Sequence, residues 1–126
     1  MDETQMLALM VRFRKAYAKA DKEALKSVTS DDFTWHQHEG HAPTGRVLDG
    51  IEALLSEIER RAKDWQDVRY ENMVERAAGN DLLVQTFTIS GLDCGTPFHA
   101  DVVDLYPVRD GQITRKDTYW KYQNQD

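Results

Sequence analysis

The chain has 126 residues, the size of one domain, and its 40% of apolar residues are enough for one hydrophobic core. Its net charge of −6 disfavours nucleic acid and anionic membranes as partners, because both bind basic surfaces. It has no apolar run near the ~18 residues of a membrane span, no signal-peptide pattern and only one cysteine, Cys94, so we expect a cytoplasmic protein without an internal disulfide.

The first third of the chain has the apolar spacing of two helices followed by a strand. In residues 3–20, apolar side chains recur at steps of four, three and four, at Met6, Met10, Phe13 and Tyr17. Residues 22–28 have the pattern of a second short helix. Residues 33–38 contain Phe, Thr and Trp, which favour a strand.

A loop with glycine and proline, residues 39–50, separates this strand from a third helix. Asp49 is a good N-cap for that helix, whose apolar face runs from Ile51 to Trp65. Its other face carries charged residues that we expect to be solvated: Glu52, Glu57, Glu59, Arg60, Arg61 and Lys63.

The second half of the chain is predicted to form four strands joined by tight turns. The strands are residues 68–76, 82–90, 98–108 and 112–122. The pair Asp110-Gly111 between the last two is a strong hairpin signal. The element order α-α-β-α-β-β-β-β predicts one α+β domain over residues 1–126, with three N-terminal helices packed on one face of a curved, mostly antiparallel sheet.

Asp104 is the residue that most strongly suggests a functional site. Because strand side chains alternate between faces, Asp104 shares a face with Val102, Tyr106 and Val108. A carboxylate on such a face is costly unless it is paired or protonated, and a protonated one can act as a general acid or hydrogen-bond donor. The alternative is a structural aspartate held by a neighbouring arginine or tyrosine.

Several segments carry a family resemblance. They are residues 10–34, residues 48–54, the run Ala100-Asp101-Val102-Val103-Asp104-Leu105, the turn Asp110-Gly111 and the pair Tyr119-Trp120. Together with the element order, they resemble the ketosteroid isomerase and SnoaL-like (polyketide cyclase) branch of the nuclear-transport-factor-2-like (NTF2-like) superfamily. The resemblance covers nearly the whole chain and implies that superfamily's cone fold and a homodimer formed through the sheet.

The resemblance also implies roles for single residues. Asp104 matches the ketosteroid isomerase acid that donates a hydrogen bond to the developing enolate oxygen. Phe13 stands where that family has an oxyanion-hole tyrosine and cannot donate, although Tyr17 lies one turn later on the same face. Gln37 stands where the family has its general base and cannot transfer a proton. Ordinary ketosteroid isomerase activity is therefore not expected.

A cavity lined by alternate strand residues is a further implication. Its lining would include Phe87 and Ile89, which share a strand face with Gln85, and also Val102, Lys116, Thr118 and Trp120. If Lys116 pairs with Asp104, the aspartate is ionised and loses its donor role. The alternative for Lys116 is an exposed residue whose stem covers apolar surface.

Three histidines, His36, His38 and His41, lie close together in the sequence. A His-x-His pair can bind a metal, but no cysteine or HExxH-type helix accompanies this one, so no metal is expected. A general base or polar contact at the cavity mouth, from His38 or His41, is the favoured functional role. Surface loop histidines are the simplest alternative.

Three functional hypotheses follow from these residues. The leading one is an isomerase, cyclase or lyase that needs no cofactor and transfers protons on an apolar, oxygenated small molecule. Asp104 would be its acid or hydrogen-bond donor, supported by Tyr17 and by His38 or Gln37. The absent base and tyrosine leave open a non-catalytic ligand-binding protein. The third hypothesis is a dimerisation or protein-interaction domain, whose cavity would be filled by side chains.

Overall fold

The fold combines three helices with one long sheet, which confirms the predicted α+β class. The computed structural model describes residues 1–123 and begins with helices α1 (Glu3–Ala18) and α2 (Lys22–Val28). Strands β1 (Thr29–His36) and β2 (Val47–Asp49) precede the third helix, α3 (Gly50–Asp64). Four long strands follow: β3 (Trp65–Ala78), β4 (Leu82–Asp93), β5 (Thr96–Arg109) and β6 (Gln112–Tyr122). None of the helices within residues 1–123 is long and apolar enough to cross a membrane.

The six strands form one mixed sheet in the order β2-β1-β6-β5-β4-β3. β1 runs parallel to β6, whereas every other neighbouring pair is antiparallel. Asp104 of β5 lies opposite Gln85 of β4 on one side and Thr118 of β6 on the other. Trp35 of β1 lies opposite Lys116 of β6. This register brings a carboxylate, an amide, a hydroxyl and an ammonium group together on neighbouring strands.

Local sequence signals fix the ends of several elements. Asp2 caps α1: its carboxylate accepts a hydrogen bond from the backbone N–H of Gln5 at 2.8 Å, and the Gln5 side chain accepts one from the backbone N–H of Asp2. Asp21 caps α2 through its side chain. Asp110 and Gly111 have φ values of 53° and 75°, as a two-residue hairpin turn between twisted strands requires.

Buried apolar residues form two separate clusters. The larger contains the inner face of α1, including Met6, Met10 and Phe13, packed against the helices and strands around Trp35 of β1. The smaller contains Ile89 of β4 and residues of β5, surrounded by half-buried aromatic side chains of β3, β5 and β6. Residues of both clusters line the site described below.

Three local predictions are wrong. The predicted loop 39–50 contains β2, a strand too short to have a recognisable pattern, which exists because it pairs with β1. The predicted strand 33–38 instead begins at Thr29 and ends at His36, because β1 pairs with β6 despite its polar start. Trp65 has extended backbone and begins β3 instead of completing the apolar face of α3. Asp49 precedes α3 as predicted, but its side chain makes no cap hydrogen bond.

Candidate functional site

A cavity of about 430 Å³ lies between the two apolar clusters. This volume is in the range of small-molecule sites. Its wall is strongly aromatic, with side chains from helix α1 and from the sheet: Phe13, Tyr17, Trp35, Trp65, Tyr70, Phe87, Tyr106 and Trp120. Ile89 and Val102 add aliphatic surface, and a small group of polar side chains interrupts it. The cavity is not filled by side chains, contrary to what the protein-interaction hypothesis requires.

A buried ion pair forms the polar end of the cavity. Lys116 Nζ donates to Asp104 Oδ2 at 3.0 Å, and both side chains are less than a tenth exposed. Trp35 Nε1 donates to Thr118 Oγ1 at 3.0 Å, so the hydroxyl hydrogen of Thr118 is left to donate to Asp104 Oδ1. Both carboxylate oxygens therefore accept hydrogen bonds, which fits the ionised form of Asp104. The sequence left two alternatives for Lys116, an exposed position or a pair with Asp104, and the structure shows the pair.

Lys116 is enclosed by aromatic rings. Its ammonium nitrogen lies 5.0 Å from the ring centre of Tyr17, 5.2 Å from that of Trp35 and 5.1 Å from that of Tyr106. It also donates to the hydroxyl of Tyr106 at 2.9 Å. Burial lowers the pKa of Lys116, although Asp104 acts in the opposite direction. Asp104 and Tyr106 use two of the three N–H donors, and no other residue within 1–123 accepts the third.

A chain of hydrogen bonds holds the neighbouring polar groups in place. Tyr106 donates to Gln85 Oε1 at 3.3 Å, and Gln85 Nε2 donates to Glu75 Oε2 at 2.8 Å. Arg14 closes the chain by donating to the same Glu75 oxygen at 3.0 Å. Burial raises the pKa of Tyr106 well above its ordinary value, so its hydroxyl stays protonated and can donate to Gln85. The hydroxyl hydrogen of Tyr106 is therefore used by Gln85, and Lys116 is the cation at this end of the cavity.

A second charged group lies where α3 meets the cavity. Glu57 is 3% exposed and accepts hydrogen bonds from Gln37, Arg60 and Arg61. Burial works to raise the pKa of Glu57, but the bonds from Arg60 and Gln37 outweigh it and hold the pKa at about 2. The prediction that Glu57 and Arg61 are solvated is therefore wrong. Arg61 lies between Trp35 and Trp65, 4.8 and 4.4 Å from their ring centres.

His38 and Gln37 lie outside the large cavity. The amide of Gln37 is buried and donates a hydrogen bond to Glu57, so this glutamine has a structural role. The ring of His38 stacks on Trp120, with ring centres 3.9 Å apart and planes 4° from parallel. His38 lines a second cavity of about 170 Å³, which Thr118 and Trp120 also line. Burial lowers the pKa of His38 to about 4, so the imidazole is neutral at neutral pH.

Most residues predicted for the site do line the large cavity: Phe13, Tyr17, Gln85, Phe87, Ile89, Val102, Asp104, Lys116, Thr118 and Trp120. Sequence reasoning missed Arg61, Trp35 and Tyr106. A signal for Arg61 was present, because it lies three residues after Ile58 and four before Trp65, on the side of the helix that carries apolar residues. Within the described part of the chain, the three neighbouring histidines join no group of three metal-ligating side chains.

Comparisons with known proteins agree on the fold. A family model described as a SnoaL-like domain matches residues 10–116. No curated protein matches the chain. An NTF2-like protein from Burkholderia xenovorans is similar in structure, with a TM-score of 0.81, 21% identity, and coverage of 96% of this chain and 92% of that one.

Two further solved structures are similar at low identity, which supports the fold alone. A candidate polyketide cyclase from Xanthomonas campestris has a TM-score of 0.71 and 18% identity, and the match covers 94% of this chain and 92% of that one. A protein from Catenulispora acidiphila with a ketosteroid isomerase-like fold, in complex with trimethylamine, has a TM-score of 0.67 and 21% identity, with 90% and 85% covered.

Proposed function

Because this chain belongs to the SnoaL-like domain family, we propose that it is an enzyme that uses no cofactor and transfers a proton on an apolar, oxygenated small molecule. The observation that supports this most is the buried Lys116–Asp104 pair at one end of an aromatic cavity, with one N–H of Lys116 unused within residues 1–123. The reaction class is an isomerisation, cyclisation or dehydration. The candidate polyketide cyclase from Xanthomonas campestris is consistent with that class.

In the proposed reaction, the carbonyl oxygen of the substrate accepts a hydrogen bond from Lys116. The carboxylate of Asp104 takes a proton from the neighbouring carbon, and the electron pair of that C–H bond moves to the oxygen, giving an enolate. The ammonium group stabilises the enolate, because a fixed charge is most effective in a cavity that excludes water. Asp104, now protonated, acts as the acid that returns the proton to carbon. The ring of Tyr17 lies against the ammonium group of Lys116, with 5.0 Å between Nζ and the ring centre, and helps to exclude water.

The test is hydrogen–deuterium exchange. Ketones that stabilise the protein in a thermal-shift screen are incubated with it in D₂O, and exchange next to the carbonyl is followed by NMR. Asp104→Asn and Lys116→Met should each lower the exchange rate by about 10²-fold or more. Asp101→Asn is the matched control, because it removes an exposed carboxylate from the same strand. Ligands that bind without any exchange would remove the proton-transfer proposal.

A non-catalytic binding protein is the second candidate. The observation in its favour is that both oxygens of Asp104 already accept hydrogen bonds, and no other carboxylate within residues 1–123 lines the cavity. This candidate predicts ligands that raise the melting temperature but are never converted. Truncation by Trp120→Ala would then weaken binding, whereas Tyr119→Ala, on the opposite face of β6, would not.

We also propose that the protein is a homodimer through the outer face of the sheet. Val74, Thr86, Val103 and Tyr119 lie side by side on β3, β4, β5 and β6, and the three larger side chains are exposed. A row that carries exposed apolar groups on three of its four strands favours a covering partner. Val103→Glu should convert a dimer to a monomer in sedimentation experiments, and a monomeric wild-type protein would contradict the proposal.

A cytoplasmic location remains a proposal that depends on composition. Cys94, the only cysteine, is a free and exposed thiol. Such a thiol is typical of a reducing compartment. Fractionation of the source cells with an antibody against the protein would test this.

A further inference from the structure

We infer that the ligand of the large cavity carries a carboxylate that binds Arg61, so that the substrate is an apolar oxo acid with its carbonyl group at Lys116. The inference depends on the proposed function for the carbonyl end and adds the second end of the molecule. It specifies the chemical class of the substrate.

Arg61 has unused N–H donors at the cavity wall. Its Nε donates to Glu57 at 3.1 Å, and its Nη1 makes a long contact of 3.4 Å with the hydroxyl of Tyr17. A guanidinium group has five N–H donors in a planar fork that matches a carboxylate. No acceptor within residues 1–123 contacts Nη2. The side chain as a whole is only 13% exposed.

The position of Arg61 is fixed before any ligand binds. Its guanidinium lies 4.8 Å from the ring centre of Trp35 and 4.4 Å from that of Trp65. Stacking on aromatic rings and the bond to Glu57 restrict the rotamers of a side chain that otherwise loses much entropy on binding. Trp65 also has a buried indole N–H without an acceptor among the described residues. This wall therefore holds more donors than acceptors.

The charges around Arg61 leave a positive excess. Three arginines, Arg46, Arg60 and Arg61, converge on the single carboxylate of Glu57. Of these, only Arg60 reaches another carboxylate in the described part of the chain, that of Asp64. Among the cations that line the cavity, Arg14 is paired with Glu75 and Lys116 with Asp104, whereas Arg61 shares the carboxylate of Glu57 with two other arginines. An anion is therefore the complementary ligand, even though the whole chain has a net charge of −6.

Arg61 and Lys116 are close enough to hold two groups of one small molecule. Both lie against the ring of Trp35, and Tyr17 contacts Arg61 through its hydroxyl and Lys116 through its ring. The charge of Arg61 contributes to lowering the pKa of Lys116, after the larger effect of burial. A carboxylate bound to Arg61 would offset that repulsion. It would also bring the carbonyl group of an oxo acid next to the Lys116–Asp104 pair.

The experiment compares matched pairs of ligands by calorimetry at pH 7. One pair is 4-oxo-4-phenylbutanoate and its primary amide, and another is 2-naphthoate and 2-naphthamide. Each amide keeps the shape of the acid and removes only the negative charge. The acid should bind at least about tenfold more tightly than the amide, as a hydrogen-bonded charge pair does. Arg61→Met should abolish this preference.

Arg60→Met is the matched control, because Arg60 contacts Glu57 at 2.8 Å but does not line the cavity. It should keep the preference for the acid. If Arg61→Met fails to fold by circular dichroism, Arg61→Lys replaces it, since it keeps the charge near Glu57 but loses the planar fork, and it should reduce the preference.

The outcomes separate this inference from the proposed function. Equal affinity for acid and amide would overturn the carboxylate inference and leave the cavity as a binding site. A preference that survives Arg61→Met would also overturn it and assign the anion to Lys116. If no member of any pair binds, both the inference and the proposed small-molecule site are wrong.

Discussion

Replacing Lys116 by methionine tests the central interaction of the cavity. The side chains of Lys116 and Asp104 are 8% and 1% exposed, and their charged atoms are 3.0 Å apart. Methionine keeps most of the lysine stem but leaves the carboxylate with Thr118 as its one remaining partner. Breaking a buried pair in this way costs about 3–5 kcal/mol, because one charge stays buried without compensation. For this chain length, that lowers the melting temperature by about 10–20 °C.

The assay is urea denaturation at pH 7 followed by far-UV circular dichroism. The double variant Lys116→Met/Asp104→Leu should be more stable than Lys116→Met alone, because it buries no unpaired charge. Lys121→Met, an exposed position on the same strand, is the matched control and should change the stability by less than about 0.5 kcal/mol.

Two results would refute this reasoning. A loss below about 1 kcal/mol for Lys116→Met would mean that the pair behaves like a solvent-exposed salt bridge. A double variant whose loss equals the sum of the two single losses would mean that Lys116 and Asp104 are not coupled.

Three further predictions concern the surroundings of the cavity. Burial lowers the pKa of His38 to about 4, so the unfolded chain binds a proton more readily than the folded protein. The folded protein should therefore lose stability as the pH falls from about 6.5 towards 4. An NMR titration midpoint of His38 above about 6 would contradict this. With the pKa of Glu57 held at about 2, the stability it contributes is present above about pH 4.5 and lost as the pH falls through 2, and Glu57→Gln should cost about 3 kcal/mol in urea denaturation. Gly45→Ala should destabilise the protein more than Gly95→Ala in thermal denaturation. Both glycines have positive φ, but only at Gly45 would the new methyl group clash with the carbonyl oxygen of Gln37. Equal losses of stability would contradict this prediction.

The sequence predicted the strand faces of the site because alternation is a local property. The burial of Val102, Asp104, Tyr106 and Val108 on one face of β5 follows from period-two spacing and is confirmed. The bounds of β6 and α2 also agree with prediction, since turn and cap residues mark them.

The sequence left the pairing of Asp104 with Lys116 as one of several alternatives, because the pairing depends on a register shift. The Asp110-Gly111 turn pairs Val108 with Ile113, and continuing that register would place Asp104 opposite Asp117. An irregularity between Leu105 and Val108 shifts the strands by one residue, so Asp104 lies opposite Thr118. A shift of one residue turns the side chains of β6 beyond the irregularity to the other face, and it is this shift that directs Lys116 to Asp104. No local pattern in the sequence marks it.

Arg61 and Glu57 were misassigned for a related reason. On a helix surface, charged residues are usually solvated, and local spacing does not reveal a partner from another element. The partners here, Gln37 and Trp35, come from β1 and the residue after it. Only the parallel pairing of β1 with β6 brings them to α3 and the cavity.

The cavity wall contains every tryptophan of the chain. Trp35, Trp65 and Trp120 are the only three indole groups in the sequence, and all three line this one volume. Arg61 lies against the first two, and His38 stacks on the third. The tryptophan emission of the protein therefore comes only from indole groups that line its candidate binding site. A change in that emission on adding an unlabelled compound reports on these walls without an engineered reporter, including the part of Trp120 that faces the second cavity.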